Sequence, residues 1–333
     1  MAKKVSVGMS GGVDSAVAAF LLKKKGYDVT GYTLVFGPWG RELADVKSVA
    51  AHLDIPLHVI AADTVFRDEI ITPFIEEYRR GRTPSPCPLC NPLKFGLGLE
   101  AAGDGYVASG HYARVKEGAL YAASHDKDQS YFLARLSEAL LRRLLLPLGG
   151  MTKEEVRAEA ARAGLSVAEK DDSQDVCFIP HGDYRAFLES EGLPPCEGNA
   201  VDEAGHKIGV HDGYFHYTRG QRFRLGGTSD RLYVTGIRPR DNTLVIGPDG
   251  SLWSRELKGT GFHPLASAED LAGPLMAKVR SRDSLHPCRL EQEGEGFRLL
   301  FEDRVRAVTP GQLAVLYKES DAGLRVAGSG WIQ

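Results

Sequence analysis

Apolar residues recur along this chain in two rhythms. Through about residue 190, short apolar runs alternate with stretches whose apolar side chains return every three or four positions. Residues 4–9, 28–36, 57–61 and 106–109 read as strands. Residues 14–25, 42–53, 65–80, 129–141 and 153–163 read as helices. In the first of these helices Val17, Phe20 and Leu21 share a face. Lys23–Lys25 stand where cations suit the helix dipole, and Gly26 supplies a stop. Thr152 with Glu155 three residues on has the form of a capping box. Strand and helix in alternation predict an α/β domain whose parallel sheet is covered on both faces.

The rhythm changes after the linker signal Gly192-Leu193-Pro194-Pro195. Short strands follow at 233–237, 243–246, 276–279, 297–301 and 313–317, separated by Gly, Asp and Pro. That punctuation predicts two small β-rich domains, the last a β-barrel, with a break near 255–265. The expected organisation is an α/β catalytic domain over 1–192, a central β-rich domain over 193–260 and a barrel over 261–333. No internal repeat or low-complexity tract interrupts it.

Composition removes several classes. At 43 % hydrophobic and 26 % charged residues, the 333-residue chain is no disordered polymer, collagen or coiled coil. No apolar run reaches the ~18 residues a membrane helix needs, and the first residues are too glycine-broken for a signal-peptide core. The expected compartment is the cytoplasm, with no membrane partner. Five cysteines, an odd number, argue against a disulfide scaffold. The net charge of −3 does not point to a polyanion. Local distribution matters more: residues 214–240 hold six arginines and one aspartate, and Lys278, Arg280 and Arg282 alternate along an expected strand. The alternative is a scattered, solvated β surface.

The sharpest local signal is Ser10-Gly11-Gly12-Val13-Asp14-Ser15, which follows a strand and opens a helix. Glycines let a phosphate approach the backbone, and the helix N-terminus offers free N–H groups with partial positive charge. The Walker pattern is absent. The bland alternative is a tight turn with Asp14 or Ser10 as helix cap. The motif resembles the pyrophosphate loop (PP-loop) of the ATP-pyrophosphatase family, which splits ATP between the α and β phosphates and adenylates a substrate oxygen.

Cysteines carry the second signal. Thr83-Pro84-Ser85-Pro86-Cys87-Pro88-Leu89-Cys90-Asn91 reads as a stiff, proline-rich loop. Cys177 lies far along, in Ser173-Gln174-Asp175-Val176-Cys177-Phe178-Ile179. A Cys-x-x-Cys pair and a distant third thiol permit buried or zinc-bound sulfur, nucleophilic chemistry between Cys90 and Cys177, or a three-cysteine iron–sulfur site. Arg79, Arg80 and Arg82 are placed to lower a thiol pKa, or form a solvated helix end. Cys196 and Cys288 have no motif around them.

With these segments the chain resembles the bacterial tRNA 2-thiouridylases, which thiolate the wobble uridine. Gly110-His111-Tyr112-Ala113, the run from Asp126 to Leu133, Tyr217-Thr218-Arg219-Gly220-Gln221-Arg222, Thr309-Pro310-Gly311-Gln312 and the closing Gly330-Trp331-Ile332 extend the likeness over nearly the whole chain. The resemblance implies a PP-loop catalytic domain and ATP bound by Gly8, Met9, Ser10, Gly11, Gly12, Val13, Asp14, Ser15, Leu34 and Gly110, with Mg²⁺ assisting. It implies that Asp14, Cys90 and Cys177 are catalytic, with Cys177 carrying a persulfide. It implies tRNA contacts from Ser85, Pro86, Cys87, His111, Lys127, Asp128, Gln129, Arg280, Ser281 and Gln312. The expected partners are tRNA and a sulfur donor: a cysteine desulfurase, a sulfur carrier protein or hydrosulfide.

The chain departs from the family at Cys87, where Asp is usual, at Ser85, in the short 91–95 segment and at Arg280-Ser281. Cys87, Cys90 and Cys177 together look like the ligand set of cluster-dependent RNA thiolases. A 4Fe–4S route therefore stands beside the persulfide route. Two other classes compete: a PP-loop enzyme adenylating a small metabolite, and a non-catalytic RNA-binding iron–sulfur protein. The first needs neither three cysteines nor a basic second half, and the intact phosphate loop argues against the second.

Overall fold

The structure, a computed structural model, describes residues 2–37, 43–170, 176–179, 182–226 and 231–333. Glu42, Ser173, Gln174, Asp175 and Asp230 therefore lie outside the described residues. The chain divides into two compact units. One comprises Met1–Ile70, Cys87–Phe178 and Tyr317–Gly328, the other Ile71–Pro86, Ile179–Leu316 and Ser329–Gln333.

The first unit holds the expected parallel sheet. Its strands run in the spatial order Leu57–Ala61, Asp28–Val35, Lys4–Gly8, Tyr106–Ala108 and Leu144–Leu145. Val5 and Val7 on the central strand are fully buried, in one core with Val13, Val17, Val46 and Val156 from the covering helices. The central strand is buried on both faces, Ser6 included, whereas the edge strand Leu57–Ala61 is partly exposed, with Val59 at 46 %. The chain builds outward from Lys4–Gly8 to one side, then returns to add Tyr106–Ala108 on the other. This reversal is a topological switch point, and ligands of open α/β sheets bind at its strand carboxyl ends.

Three local readings change. The predicted loop over 83–92 becomes helical from Cys87, in a helix running Cys87–Ala102. Pro88 occupies its first turn, where a missing N–H removes no intrahelical bond, while Pro92 lies inside. The predicted helix over 129–141 is instead a 3₁₀ turn, Ser130–Leu133, and a separate helix, Glu138–Leu141, that Ser137 caps. The predicted helix over 65–80 resolves into Asp63–Phe66, a π turn Arg67–Ile71 and Thr72–Arg79. Pro73 supplies no N–H to the ladder there, which accounts for the interruption.

The second unit contains a five-stranded sheet, Arg222–Phe223, Leu232–Arg238, Thr243–Gly247, Gly198–Val201 and Lys207–His211. Ala200, Phe223, Val234, Leu244 and Ile246 form its core. Six antiparallel strands from Trp253–Pro264 to Arg325–Ile332 form a barrel, closed by pairing of the first with the last. Residues of the last two strands beyond Leu316 and before Ser329 count with the first unit. Among the described residues, no helix is long and apolar enough to cross a membrane.

Candidate active site

The phosphate loop sits at the carboxyl end of the central strand. Gly11 adopts φ +70°, a left-handed conformation that glycine takes without a Cβ penalty. Ser15 shapes the turn: its Oγ accepts from the Ser10 amide at 3.1 Å and donates to the Gly12 carbonyl at 3.0 Å. Ser10 Oγ lies 3.2 Å from Ser15 Oγ. The helix Val13–Lys24 then starts with Gly12 as N-cap and no side-chain cap. The tight turn is present, but neither Ser10 nor Asp14 caps the helix, and the first-turn N–H groups are not taken by a capping side chain. Met9, Val13 and Leu34 are buried behind the loop.

Asp14 is the hub of a charged cluster. Its Oδ1 accepts from Tyr112 Oη at 2.7 Å and from Lys153 Nζ at 2.6 Å. Lys127 Nζ stands 3.7 Å from Oδ2 and 4.9 Å from the centre of the Tyr112 ring. Lys127, expected at tRNA, thus sits at the phosphate loop. Its neighbours in sequence are occupied locally. Asp128 accepts from the amides of Ala123 and Ser130 and from Ser130 Oγ. Gln129 Oε1 accepts from the Tyr112 amide, and its own amide donates to the Tyr112 carbonyl. Those two residues organise the turn that delivers Lys127 and Tyr112.

Gly110 closes the loop from the neighbouring strand. Its backbone lies against Asp14 and Ser15 so closely that no Cβ fits. His111 follows, with Nδ1 2.8 Å from Ser109 Oγ and the Phe95 ring edge-on at 5.9 Å. Burial, together with the Lys94 ammonium, pushes the imidazole down to about 3, so it is neutral at neutral pH.

The helix Cys87–Ala102 places Cys87, Cys90, Lys94 and Gly98 at spacings of three and four, which is one face. Asn91 Nδ2 ties this helix to the Phe132 carbonyl at 2.9 Å. Tyr32, on the strand beside the phosphate loop, packs its ring against Gly98 and donates to the Lys94 carbonyl at 3.1 Å. Its phenol is raised by burial and by Cys90 nearby. Burial, with Cys177 and Cys90 as neighbours, pushes the Cys87 thiol up to about 12, while Lys94 acts in the opposite direction. Cys90 is buried and Cys177 exposed. Phe178 anchors Cys177: its ring meets Phe66 edge-on at 5.8 Å, and Phe66 stacks on Phe36 at 3.8 Å. Phe36 directly follows the strand Asp28–Val35. Loop, histidine and thiols thus belong to the carboxyl edge of one sheet.

Two expectations need correction. The cation acting on Cys87 is Lys94, whereas Arg79, Arg80 and Arg82 pair with Glu76 and Glu77. Lys94 was legible as the residue one helical turn past Cys90, had the segment been read as helix. The thiols are also not assembled as cluster ligands: among the described residues no three His, Cys, Asp or Glu side chains are gathered to hold a metal ion. Reasoning from sequence marked the capping box around Lys153 but not its pairing with Asp14.

The remaining expected tRNA-contact residues, Ser85, Pro86, Arg280, Ser281 and Gln312, lie in the second unit. Gln312 Nε2 donates to the Thr83 carbonyl at 2.7 Å, and the Thr83 amide to the Pro310 carbonyl at 2.9 Å. Arg280 Nη2 donates to the carbonyls of Arg306 and Ala307 at 3.2 and 2.9 Å. These side chains hold backbone in place. The arginines of 214–240 divide: Arg219 is half-buried and donates to the carbonyls of Thr235 and Ser251, whereas Arg222, Arg224, Arg231, Arg238 and Arg240 are exposed.

Known proteins place this geometry. Residues 3–181 match the tRNA methyl transferase HUP domain family, 185–248 the tRNA methyl transferase PRC-barrel domain family, and 254–332 the aminomethyltransferase beta-barrel domain family. The tRNA-specific 2-thiouridylase MnmA of Acidithiobacillus ferrooxidans is 41 % identical over 351 residues, covering 99 % of this chain and 98 % of that protein. The enzyme of the same name from Trichlorobacter lovleyi is 43 % identical over 348 residues, covering 99 % and 97 %. That of Fervidobacterium nodosum is 38 % identical over 346 residues, covering 96 % and 98 %. On this full-length likeness, and with a phosphate loop and cysteines on one sheet edge, the chain belongs to the tRNA-specific 2-thiouridylase family.

Proposed function

We propose that this protein is an ATP-dependent tRNA-uridine 2-sulfurtransferase that thiolates the wobble uridine through a persulfide on Cys177. One observation carries the reading: a continuous run of neighbours from nucleotide loop to sulfur. Gly110 packs on Asp14 and Ser15, His111 follows it, and Lys94 acts on both His111 and Cys87, which in turn has Cys177 and Cys90 as neighbours. Adenylation and sulfur transfer need such proximity, because the activated uridine must meet sulfur before water does.

ATP lies on the uncapped helix start, its phosphates held by backbone N–H groups and by the lysines around Asp14. Asp14 Oδ2, whose ion pair to Lys127 is long, is the carboxylate oxygen suited to a Mg²⁺ ion that neutralises phosphate charge. The uracil O2 attacks the α-phosphorus, the bond from that phosphorus to the β-bridging oxygen breaks, and pyrophosphate leaves. An unpaired anticodon base can be turned out of its stack to reach this position.

Cys177, exposed to a donor, takes sulfane sulfur by thiolate attack on a donor persulfide, whose own thiol leaves. The terminal sulfur then attacks C2, the C2–O bond breaks, AMP leaves and the persulfide proton passes to solvent. Cys90 attacks the Cys177 sulfur, releasing the 2-thiouridine and forming a Cys90–Cys177 disulfide that an external thiol reopens. No step runs through an iron–sulfur cluster.

Asp14→Ala tests the nucleotide half. The variant is expected to lose tRNA-dependent AMP release by at least ~100-fold, the scale of removing a preorganised charge, while tRNA binding persists. Unchanged AMP release sinks the reading. Stoichiometric iron and sulfide in anaerobically purified, active protein would replace the persulfide by a cluster.

A further inference from the structure

We infer that the first unit carries a second binding site, at the far end of the helix Val13–Lys24 from the phosphate loop. Its ligand is a small organic anion with a flat apolar body, the aryl carboxylate class. The inference is independent of the ATP-dependent reading above.

A pocket of about 410 Å³ opens there, within the ~300–1,000 Å³ range of small-molecule sites. All its lining residues belong to the first unit. The helix start borders the phosphate loop, while Leu22 and Lys25, at the other end, line the pocket. Twelve helical residues span about 18 Å, so a small molecule in the pocket does not touch the loop.

The lining has three parts. Leu22 and Leu144 are buried and, with Leu145 and Pro147, make an apolar wall. Tyr27 and Tyr121 add two half-buried rings. Lys25, Arg114 and Lys116 supply the charge, and no Asp or Glu lines the pocket. In such sites apolar walls hold the body of a ligand and a few convergent polar groups orient it. Three cations without a carboxylate make the oriented group an anion.

Arg114 is held in place. Its Nε donates to the Ala122 carbonyl at 3.0 Å, and its guanidinium lies 5.8 Å from the centre of the Tyr121 ring. The backbone beside it adds a donor. Ala113–Lys116 and Ala119–Ala122 form a hairpin whose turn residues Glu117 and Gly118 have φ of 53° and 79°. A hydrogen-bonded pair closes such a two-residue turn, here Lys116 with Ala119. Bonded and non-bonded pairs alternate, so Arg114 and Tyr121 are bonded while Val115 and Leu120 are not. The Val115 N–H and C=O therefore point to the outer edge of the strand, and Ala113–Lys116 is the outermost strand of its sheet. Val115 itself lines the pocket. A carboxylate there meets the Arg114 guanidinium and an edge N–H, while an aryl ring packs on leucines and tyrosines.

Solvated cations beside a shallow apolar surface would bind without preference, and a probe series separates the two cases. Binding of 1-naphthoate, neutral 1-naphthamide and acetate is measured on the full-length protein by calorimetry and ligand-observed NMR. 1-Naphthoate is expected to saturate one site with a Kd near or below ~1 mM, the scale for a ligand of this size. The amide should bind at least ~10-fold more weakly, and acetate should not saturate. Lys116→Glu, at an exposed position, should weaken 1-naphthoate at least ~10-fold, and Arg114→Met likewise. Asp14→Ala and excess ATP should leave its Kd within ~2-fold. Equal binding of acid and amide, no saturable 1-naphthoate binding, or wild-type affinity in Lys116→Glu overturns the site. Competition by ATP would put the probe at the phosphate loop and overturn it too. Loss of tRNA affinity in Lys116→Glu, with no 1-naphthoate bound by the wild type, would make this face an RNA contact instead.

Discussion

A β-carbon built on Gly110 would stand 2.5 Å from the carbonyl carbon of Asp14 and 2.7 Å from its oxygen. Both clashing atoms are backbone, so neither can rotate away. Gly110→Ala must therefore push the phosphate loop and the neighbouring strand end apart. Overpacking of this kind costs about 1–3 kcal/mol. The variant is expected to show a thermal midpoint lower by several degrees and ATP affinity lower by at least ~10-fold. Unfolding scans and nucleotide titration check it, and a wild-type ATP affinity would show that the two segments do not act as one site.

The cysteines should separate by reactivity. The Cys87 and Cys288 thiols are both pushed up to about 12, chiefly by burial, whereas Cys177 and Cys196 are exposed. Only thiolate alkylates. With iodoacetamide under native conditions, mass spectrometry should find Cys177 and Cys196 modified at least ~10-fold faster than Cys87 and Cys288. Cys87→Ser should keep thiolation within ~3-fold, and Cys90→Ser and Cys177→Ser should abolish it. Loss of activity in Cys87→Ser would return the third sulfur to the chemistry.

His111 makes stability depend on acid. Its imidazole titrates at about 3 in the fold, against ~6.5 in an unfolded chain. Between those values the unfolded chain binds the proton and the folded one does not, so stability rises with pH. The contribution is complete above ~6.5 and is lost as pH falls toward the folded value, by at most about 1.4 kcal/mol per pH unit. Denaturant melts across this window should show a flatter acid limb for His111→Gln. An NMR titration showing His111 protonated near its ordinary value would contradict the burial described.

Arg280 should matter for stability more than for RNA. Its guanidinium bonds two barrel carbonyls, Arg306 and Ala307. Removing a charged donor from these part-buried acceptors costs about 1–3 kcal/mol. Arg280→Ala is expected to lower the thermal midpoint by several degrees while tRNA affinity changes less than ~3-fold. A large affinity loss without destabilisation would restore Arg280 as an RNA contact.

Much of the first unit was legible because its signals are local. The strand–Gly-Gly–helix order over residues 4–25 predicts a turn opening a helix, and Ser10, Gly12 and Ser15 close that turn with hydrogen bonds inside six residues. The capping box at Thr152 and Glu155 was legible for the same reason. The helix beginning at Cys87 was not. Prolines at 86, 88 and 92 oppose a helix by propensity, and what favours it is long-range: Tyr32 bonding the Lys94 carbonyl and Asn91 bonding the Phe132 carbonyl. Misreading that segment hid Lys94, since its relation to Cys87 and Cys90 exists only at helical spacing.

Residue order alone thus determined the alternating α/β pattern, the phosphate loop and the presence of sulfur near a rigid segment, since each depends on neighbours along the chain. Only the folded arrangement decided which charges face Asp14, because Tyr112, Lys127 and Lys153 lie about a hundred or more positions away in sequence. It likewise decided that Lys127 belongs to the loop and that Asp128, Gln129, Gln312 and Arg280 hold backbone. A side chain's type limits what it can bond, but its partner is whatever packing brings within about 3 Å.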